Sequence, residues 1–277
     1  MLQVIVFAIL VGVAILQAGD SGKTVLRGCQ MISDVIMRMV SILMNLAPYG
    51  VFCLLAKLFT SQGFSAIINL ALYFGTIVFV LFLHASVVYT SIFALLTRLN
   101  PLTLFKNMRP ALLFAFSTSS SNATMPITLN VARTRVGAHN SIASFTVPLG
   151  ATVNMDGTAI MQGIATVFIA QAYGLDLTMG EYLAVVATAT LASIGTAGVP
   201  GVGLITLAMV LQQVGLPVEG IGLIIGVDRL LDMMRTVVNV SGDGMVTAVV
   251  ANSEGLLDKD VFNDLSEQDD HKDTQTS

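Results

Sequence analysis

The stretch DRLLDMMRTVVNVSGDG, from Asp228 to Gly244, places charged and polar side chains at helical intervals within an otherwise apolar chain. Spacings of 4, 3, 4 and 4 residues set five of them within about 80° of one another on an α-helix. One charge at the centre of a membrane helix costs roughly 2.5–3.5 kcal/mol, so four facing lipid would cost on the order of 10 kcal/mol. We therefore expect this polar stripe to face a polar interior, either as a binding site or as a structural ion-pair network. The polar stripe consists of Asp228, Asp232, Arg235, Asn239 and Asp243.

The whole chain has the composition of a membrane protein. It has 277 residues, a mean hydropathy of +0.82 and 11% charged residues, whereas soluble domains carry about 25%. No Asp, Glu, Lys or Arg occurs from Leu58 to Thr97 or from Tyr182 to Val218, and both runs exceed the ~20 residues that a helix needs to cross a bilayer. We predict an all-α polytopic protein, multi-pass in the cell membrane (plasma or inner), in contact with the lipid bilayer. The net charge of −4 gives no reason to expect a nucleic-acid partner.

Two apolar segments are interrupted at their centres. Basic residues flank Pro110–Ala132 on both sides, and basic loops tend to face the cytoplasm, so this segment enters and leaves on one side. Its middle, STSSSNATMP (Ser117–Pro126), predicts the turn of a re-entrant hairpin rather than a linker. The segment Glu181–Leu216 is similarly broken by ASIGTAGVPGVG (Ala192–Gly203). Irregular backbone at membrane depth must be buried in protein or line a wet cavity, and a pair of broken segments indicates the binding site of a secondary transporter.

These features divide the chain into four parts. We predict partial scaffold helices over residues 1–64 and a long transmembrane helix over 65–100, in which His84 is a packing or hydrogen-bonded residue. Residues 101–253 form a transport core of hairpin, broken helix, hairpin and charged helix. Residues 254–277 form a polar, acidic cytoplasmic tail.

The polar stripe suits a zwitterion that carries an additional acid group. Arg235 offers a planar fork for a carboxylate, Asp232 accepts from an ammonium group, and Asn239 can bond a second carboxylate. Asp243 has no basic partner on the stripe, and an unpaired buried carboxylate attracts a cation.

The motif NMDGT, Asn154–Thr158, supplies further oxygen ligands. Asn154 and Asp156 would point in nearly opposite directions on a regular helix, so both meet one ion only if the helix unwinds, which Gly157 allows. The alternative is a lone aspartate capping a broken helix. Oxygen ligands alone do not separate Na⁺ from Ca²⁺.

Four motifs in order, TSSSNATMP, NMDGT, ASIGTAGVPG and DMMRTVVNVSGD, resemble the glutamate/aspartate:sodium symporters of the dicarboxylate/amino acid:cation symporter family. The resemblance implies a glutamate-transporter-like fold with two re-entrant helical hairpins and broken transmembrane helices, a homotrimer and elevator-type alternating access. The first residues resemble the end of the family's fourth helix, so the chain is expected to lack the first three. Family members often carry arginine where Thr118 or Met233 stands, which leaves the partner of Asp228 open.

The resemblance also implies residue roles. Arg235 would hold the substrate's side-chain carboxylate and Asp232 its amino group, while the second hairpin tip closes as a lid. The implied substrate-binding residues are Ser119, Ser120, Thr158, Val199, Pro200, Gly203, Asp232, Arg235, Thr236 and Asn239.

Three sodium sites are implied as well. One would use Gly150, Asn154, Asn239 and Asp243, a second Thr152, Ser193, Ile194 and Thr196, and a third Asn154 and Asp156 with upstream ligands. The full implied set of sodium ligands is Gly150, Thr152, Asn154, Met155, Asp156, Ser193, Ile194, Thr196, Asn239 and Asp243.

The sequence therefore predicts a sodium-coupled symporter of L-aspartate or L-glutamate, which is not an enzyme. Neutral amino acid carriers of the family would be expected to lack Arg235, and C4-dicarboxylate carriers to lack Asp232; an inactive truncated copy is a further alternative. An intramembrane aspartyl protease would pair Asp156 with Asp243. Its motifs differ, since Val240 stands in place of glycine and Met155 in place of tyrosine.

Overall fold

The computed structural model describes residues 2–62 and 64–264, and only some of the side chains before residue 68. Within these ranges the chain is helical, and its only β-type pairing is an isolated bridge between Ala138 and Leu257. Short turns of π-helix (His84–Tyr89) and 3₁₀-helix (Val218–Gly220) interrupt the series. The α-helices are α1 Leu2–Gln17, α2 Gly19–Gln62, α3 Phe64–Leu83, α4 Thr90–Thr97, α5 Pro101–Thr118, α6 Ser121–Thr134, α7 Asn140–Val153, α8 Asp156–Ala172, α9 Met179–Ile194, α10 Val202–Gln213, α11 Ile221–Ser253 and α12 Lys259–Asn263.

The predicted long helix is present but is not uniform. It runs through α3, the π-helical turn and α4, and ends where Arg98 adopts a left-handed conformation (φ 59°). In the described part of the chain, Ile68–Thr97 is the one helical stretch that is long and apolar enough to cross a membrane. The apolar helices α9 and α10 are shorter, with 16 and 12 residues.

Helices α5 and α6 form the first helical hairpin. Asn100 caps α5 by accepting from the Leu102 amide, and Pro101 occupies the first turn, where its missing N–H costs nothing. Ser119 takes a left-handed conformation (φ 53°) and Ser120 caps α6 by accepting from the Ala123 amide. The turn is thus two residues long, narrower than the predicted Ser117–Pro126. The hairpin's place in a membrane stays a prediction.

Helices α9 and α10 form the second hairpin, joined by the glycine-rich loop 195–201. Its first helix starts with a capping box, in which Thr178 accepts from the Glu181 amide and Glu181 accepts from the Thr178 amide. Its second helix starts after Gly201, whose left-handed backbone (φ 77°) suits glycine.

The NMDGT motif breaks a helix, as predicted, but Gly157 plays a different part. Helix α7 ends at Val153 and α8 begins at Asp156, so the non-helical residues are Asn154 and Met155. Gly157 itself is helical. A Cβ there would lie 2.6 Å from the carbonyl oxygen of Arg235, so glycine is needed for the close approach of α8 and α11.

Helix α11 is the centre of the fold and contacts α3, α5, α6, α7, α8 and α10. All five residues of the polar stripe are buried within these contacts, which confirms that they face the protein interior. The charges are therefore shielded on every side by neighbouring helices.

The chain after α11 folds back onto the base of the first hairpin. The Asp258 amide donates to the Gly137 carbonyl (2.8 Å), and Asn107 Nδ2 donates to the Phe262 carbonyl (2.9 Å). The Phe262 ring is fully buried near Phe93. The acidic tail predicted for residues 254–277 thus begins as a packed segment up to Asp264, and residues 265–277 lie outside the described residues.

Candidate functional site

Arg235 is the most enclosed cation of the described chain. Its Nε donates to Asp232 Oδ1 at 2.9 Å and its Nη1 to Asp228 Oδ1 at 3.1 Å. All three side chains are buried. They form the ion-pair network that was one of the two interpretations of the polar stripe. It also identifies the partner of Asp228.

One nitrogen of Arg235 is left without a hydrogen bond. Nη2 lies 2.8 Å from Asp232 Oδ1, which is an ionic contact, but the geometry does not make it a hydrogen bond. An unsatisfied buried donor on a charged group is costly. The ion-pair network is therefore incomplete, and Nη2 can donate a hydrogen bond to a further anionic partner.

The two hairpin tips meet directly above Arg235. Gly198 of the second tip accepts from Ser120 Oγ at 2.6 Å and from the Asn122 amide at 3.1 Å. The Gly201 amide donates to Asp232 Oδ2 at 2.8 Å. Gly203 lies against the guanidinium group, where a Cβ would come within 2.8 Å of Nη2. The serine run is therefore a buried hairpin tip.

The tips and α11 enclose a small polar cavity of about 10 Å³, which is room for about one water molecule. Among its lining groups, Ser119 Oγ is a second buried polar atom without a partner. Eight of the ten predicted substrate residues line the cavity, while Ser120 reaches its rim through Gly198 and Pro200 is not part of the lining. The eight are Ser119, Thr158, Val199, Gly203, Asp232, Arg235, Thr236 and Asn239.

Asn239 connects this cavity to the broken helix. Its Oδ1 accepts from the Gly157 amide at 2.8 Å, and its Nδ2 lies 3.4 Å from Thr158 Oγ1 and 3.2 Å from Met155 Sδ. The Met155 side chain, predicted only among the cation ligands, therefore also belongs to the cavity wall.

The first predicted sodium set lies together one turn further along α11. Asn154 Nδ2 donates to Asp243 Oδ1 at 3.0 Å and to the Asn239 carbonyl at 3.3 Å. Gly150 packs on Asp243 so closely that a Cβ there would lie 2.4 Å from Oδ1. In the described residues Asp243 has one side-chain donor, Asn154, and no cationic neighbour. A buried carboxylate with so little compensation fits a cation.

Asp156, predicted for the third sodium set, is bonded by two side chains of the long helix. Tyr89 Oη donates to Asp156 Oδ2 at 2.8 Å, and His84 Nε2 lies 3.2 Å from the same oxygen. His84 is thus hydrogen-bonded, as predicted. Asp156 is not the lone helix cap of the alternative prediction, because Met155 occupies the cap position without a side-chain bond.

The second sodium set is divided between two elements. Ser193, Ile194 and Thr196 lie at the end of α9 and the start of the following loop, where the Ser193 and Thr196 hydroxyls bond the carbonyls of Thr190 and Ala192. Thr152, near the end of α7, is exposed and bonds the Pro148 carbonyl. Helices α7 and α9 touch, but within the described residues no hydrogen bond joins Thr152 to this group.

Sequence reasoning missed Tyr89 and Gly198. Nothing in the apolar run around Tyr89 predicts a π-helical turn, and Gly198 is one of several glycines in its loop. Sequence reasoning also gave no signal for a larger, mostly apolar cavity of about 730 Å³ between α3, α8 and α9, which none of the predicted site residues lines.

The two acids of the protease alternative, Asp156 and Asp243, have different partners. Among the described residues, no three His, Cys, Asp or Glu side chains cluster as potential metal ligands. Asp156 bonds His84 and Tyr89, whereas Asp243 bonds Asn154. The two carboxylates therefore share no hydrogen bond of the kind that a catalytic aspartate pair uses.

A family profile and several known proteins are similar to this chain. The profile of the "Sodium:dicarboxylate symporter family" matches residues 1–253. Excitatory amino acid transporter 3 of Mus musculus is 41% identical over 250 residues, which are 90% of this chain and 48% of the mouse protein.

Two further relatives extend the comparison. An excitatory amino acid transporter of Caenorhabditis elegans is 39% identical over 251 residues (90% of this chain, 50% of the worm protein). Excitatory amino acid transporter 5 of Mus musculus is 36% identical over 266 residues (95% and 47%). The chain therefore spans about half the length of these curated relatives.

Proposed function

The chain belongs to the sodium:dicarboxylate symporter family, as its four motifs predicted, and we propose that it is a sodium-coupled symporter of L-aspartate or L-glutamate. The observation that carries the proposal is a pair of buried cavity groups that make no hydrogen bond: Arg235 Nη2, whose ionic contact is with Asp232 Oδ1, and Ser119 Oγ. A substrate carboxylate satisfies both, because it accepts from a guanidinium nitrogen and from a hydroxyl at once.

Asp232 gives the selectivity for an amino acid. Its Oδ2 accepts from the Gly201 amide of the second hairpin in the closed arrangement. A substrate ammonium group would replace this neutral backbone donor with a cationic one, so that the carboxylate gains an ion pair. Arg235 and Asp232 together then pair with a side-chain carboxylate and an α-amino group, and the Asn239 amide and the Thr158 hydroxyl complete the contacts to the main-chain carboxylate.

Substrate entry requires the second hairpin to act as a lid. A space of about 10 Å³ cannot hold an amino acid, so the tip around Gly198 and Gly201 must move away from Ser120 and Asp232 and close again. The bonds that hold it are few: two to the Gly198 carbonyl and one from the Gly201 amide. The two bonds to Gly198 contribute about 0.5–1.5 kcal/mol each and the bond to the Asp232 carboxylate about 1.5–3 kcal/mol, which suits a lid that opens and closes repeatedly.

Sodium is proposed as cargo that is carried with the substrate. Gly150, Asn154, Asn239 and Asp243 would offer the ligands of one site, and Thr152, Ser193, Ile194 and Thr196 those of another. Asn154 and Asp156, with ligands from an upstream helix, would form a third. Two observations support the first of these sites. Gly150 packs closely against Asp243 Oδ1, and this buried carboxylate accepts a side-chain hydrogen bond only from Asn154 among the described residues.

We place the protein in the plasma or inner membrane as a multi-pass protein. The four residues Ile68, Leu72, Phe79 and Phe82 of α3 are each more than 60% exposed, which suits a surface covered by lipid or by further helices. The resemblance to the glutamate/aspartate symporters adds two further proposals, a homotrimer and an elevator-type movement of the hairpin-bearing core, residues 101–253, against scaffold helices in 1–64.

The first experiment is calorimetric titration of L-aspartate into the purified chain in sodium and, separately, in potassium. Heat in sodium alone supports the proposal, and equal heat in both salts contradicts coupling. Succinate serves as the matched ligand without an amino group: succinate binding at least as tight as aspartate would favour a C4-dicarboxylate symporter. L-Alanine, which lacks the side-chain carboxylate, tests the neutral alternative. Binding of none of the ligands would contradict the proposal and favour an inactive chain.

A further inference from the structure

A single π-helical turn interrupts the long helix at the point where it faces Asp156. The turn spans His84–Tyr89 and is followed directly by α4. In an α-helix, residues five apart lie about 140° apart around the axis. In a π-turn, whose hydrogen bonds join residues five apart, two such residues lie closer together around the axis. The His84 and Tyr89 rings accordingly make edge contact, with centroids 4.6 Å apart, and both side chains reach the same carboxylate.

The contacts of Tyr89 and His84 distinguish the two carboxylate oxygens of Asp156. Tyr89 Oη donates to Asp156 Oδ2 at 2.8 Å, and His84 Nε2 lies 3.2 Å from the same atom. Among the described residues no other side chain bonds Asp156. Oδ2 is therefore occupied by two side chains, and Oδ1 is the oxygen that remains for a cation.

The Tyr89 hydroxyl also lies beside Asn154. A Cβ on Gly242 of α11 would come within 2.5 Å of Tyr89 Oη and within 2.4 Å of Asn154 Nδ2. Both polar groups thus contact the same glycine, one from the π-helical turn and one from the helix break. Asn154 in turn donates to Asp243. The hydroxyl of Tyr89, which is 3% exposed, is therefore located where the long helix, the broken helix and α11 meet.

We propose that Tyr89 is a positioning residue of the cation site at Asp156. Its hydroxyl orients the carboxylate so that Oδ1 and the oxygen of Asn154 face the same ion, and the π-helical turn is the device that places it there. This inference rests on the proposed sodium coupling. Tyr89 acts through Asp156 and does not itself hold the substrate.

The principal variant is Tyr89→Phe, which keeps the buried ring and removes only the hydroxyl. Loss of a group that orients a metal ligand weakens metal affinity by roughly 10- to 100-fold. We expect the sodium concentration that gives half-maximal L-aspartate binding to rise by about 10-fold, while L-aspartate affinity at saturating sodium and the melting temperature change little. Tyr173→Phe is the matched control, since the Tyr173 ring lies partly exposed at the end of α8.

The outcomes separate the inference from the proposed function. No sodium response in the unaltered chain would overturn both. A sodium response in the unaltered chain that Tyr89→Phe leaves unchanged would overturn the role of Tyr89 alone. If Tyr89→Phe and Tyr173→Phe raised the half-maximal sodium concentration equally, the effect would not be specific to Tyr89, and its proposed role would again be overturned. His84→Ala should raise the half-maximal sodium concentration less than Tyr89→Phe, because the His84 contact is longer; a larger effect at His84 would move the assignment away from Tyr89.

Discussion

Replacing Gly198 by alanine adds one methyl group at the place where the two hairpin tips touch. The new Cβ would lie 2.8 Å from Oδ1 and 3.0 Å from the backbone nitrogen of Asn122, and 3.1 Å from Cβ of Ser121. The Asn122 side chain can turn away, but its backbone nitrogen and the Ser121 Cβ cannot without moving the first hairpin tip. The tips must therefore separate by a few tenths of an ångström.

The energetic cost follows from the bonds that this separation loosens. The Gly198 carbonyl accepts from Ser120 Oγ at 2.6 Å and from the Asn122 amide at 3.1 Å, and each such bond contributes about 0.5–1.5 kcal/mol. Loss of both destabilises the closed arrangement by about 1–3 kcal/mol. If substrate is held only by the closed tips, the Kd of L-aspartate rises by roughly 5- to 150-fold, since 1.4 kcal/mol is a factor of ten.

Calorimetric titration of L-aspartate at saturating sodium measures this change. Gly163→Ala is the matched control, because a Cβ at Gly163 of α8 meets nothing within 4 Å and alanine favours a helix. We expect Gly163→Ala to leave the Kd unchanged. An unchanged Kd in Gly198→Ala would refute the idea that the closed tips hold the substrate.

Three other changes probe separate parts of the molecule. Arg235→Cys should shift preference toward neutral amino acids in competition binding, because the fork for the side-chain carboxylate is lost; unchanged aspartate affinity would exclude that role. Asp243→Asn should raise the sodium concentration needed for half-maximal aspartate binding by about 10-fold or more, and an unaltered sodium titration would reject it as a ligand. Phe262→Ala should lower the free energy of unfolding in detergent by about 3–5 kcal/mol, because the ring is fully buried, and should leave the sodium titration unaltered. Phe262→Leu should lower the free energy of unfolding by less. Equal stability of the unaltered chain and the two variants would contradict the packing of the tail.

The fold was predictable where hydrophobic pattern and turn residues agree. The apolar run to Thr97, the serine turn and the glycine-rich loop each predicted an element that the structure contains. The bounds were less accurate, because local capping sets them: the Ser119–Ser120 turn is shorter than its polar motif, since the residues on either side complete helical turns. Gly157 was assigned to unwinding because glycine permits it, whereas the close approach of the Arg235 backbone requires it.

The charged members of the candidate site were predictable from the residues alone, whereas Tyr89 was not. A charge in an apolar helix stands out because of its insertion cost, which singled out Asp232, Arg235 and Asp243. A tyrosine in an apolar run carries no such signal, since an aromatic side chain at helical spacing is usually core. Tyr89 reaches Asp156 only through a change of helical register that no local residue type indicates. Tertiary contacts of this kind are visible only in the folded chain.

Asn239 and Asn154 give the proposed coupling a physical route. Asn154 bonds Asp243 and the Asn239 carbonyl, while the Asn239 side chain accepts from the Gly157 amide and faces Thr158 on the cavity wall. A cation that draws Asp243 and Asn154 toward itself therefore acts on the same residue that lines the substrate cavity. Coupling between two equilibrium binding sites is reciprocal. If sodium raises the affinity for substrate by some factor, a substrate that orders Asn239 must raise the affinity for sodium by the same factor. Because these contacts lie on one turn of α11 and one helix break, the proposed coupling has each ligand stabilise the backbone geometry that the other requires.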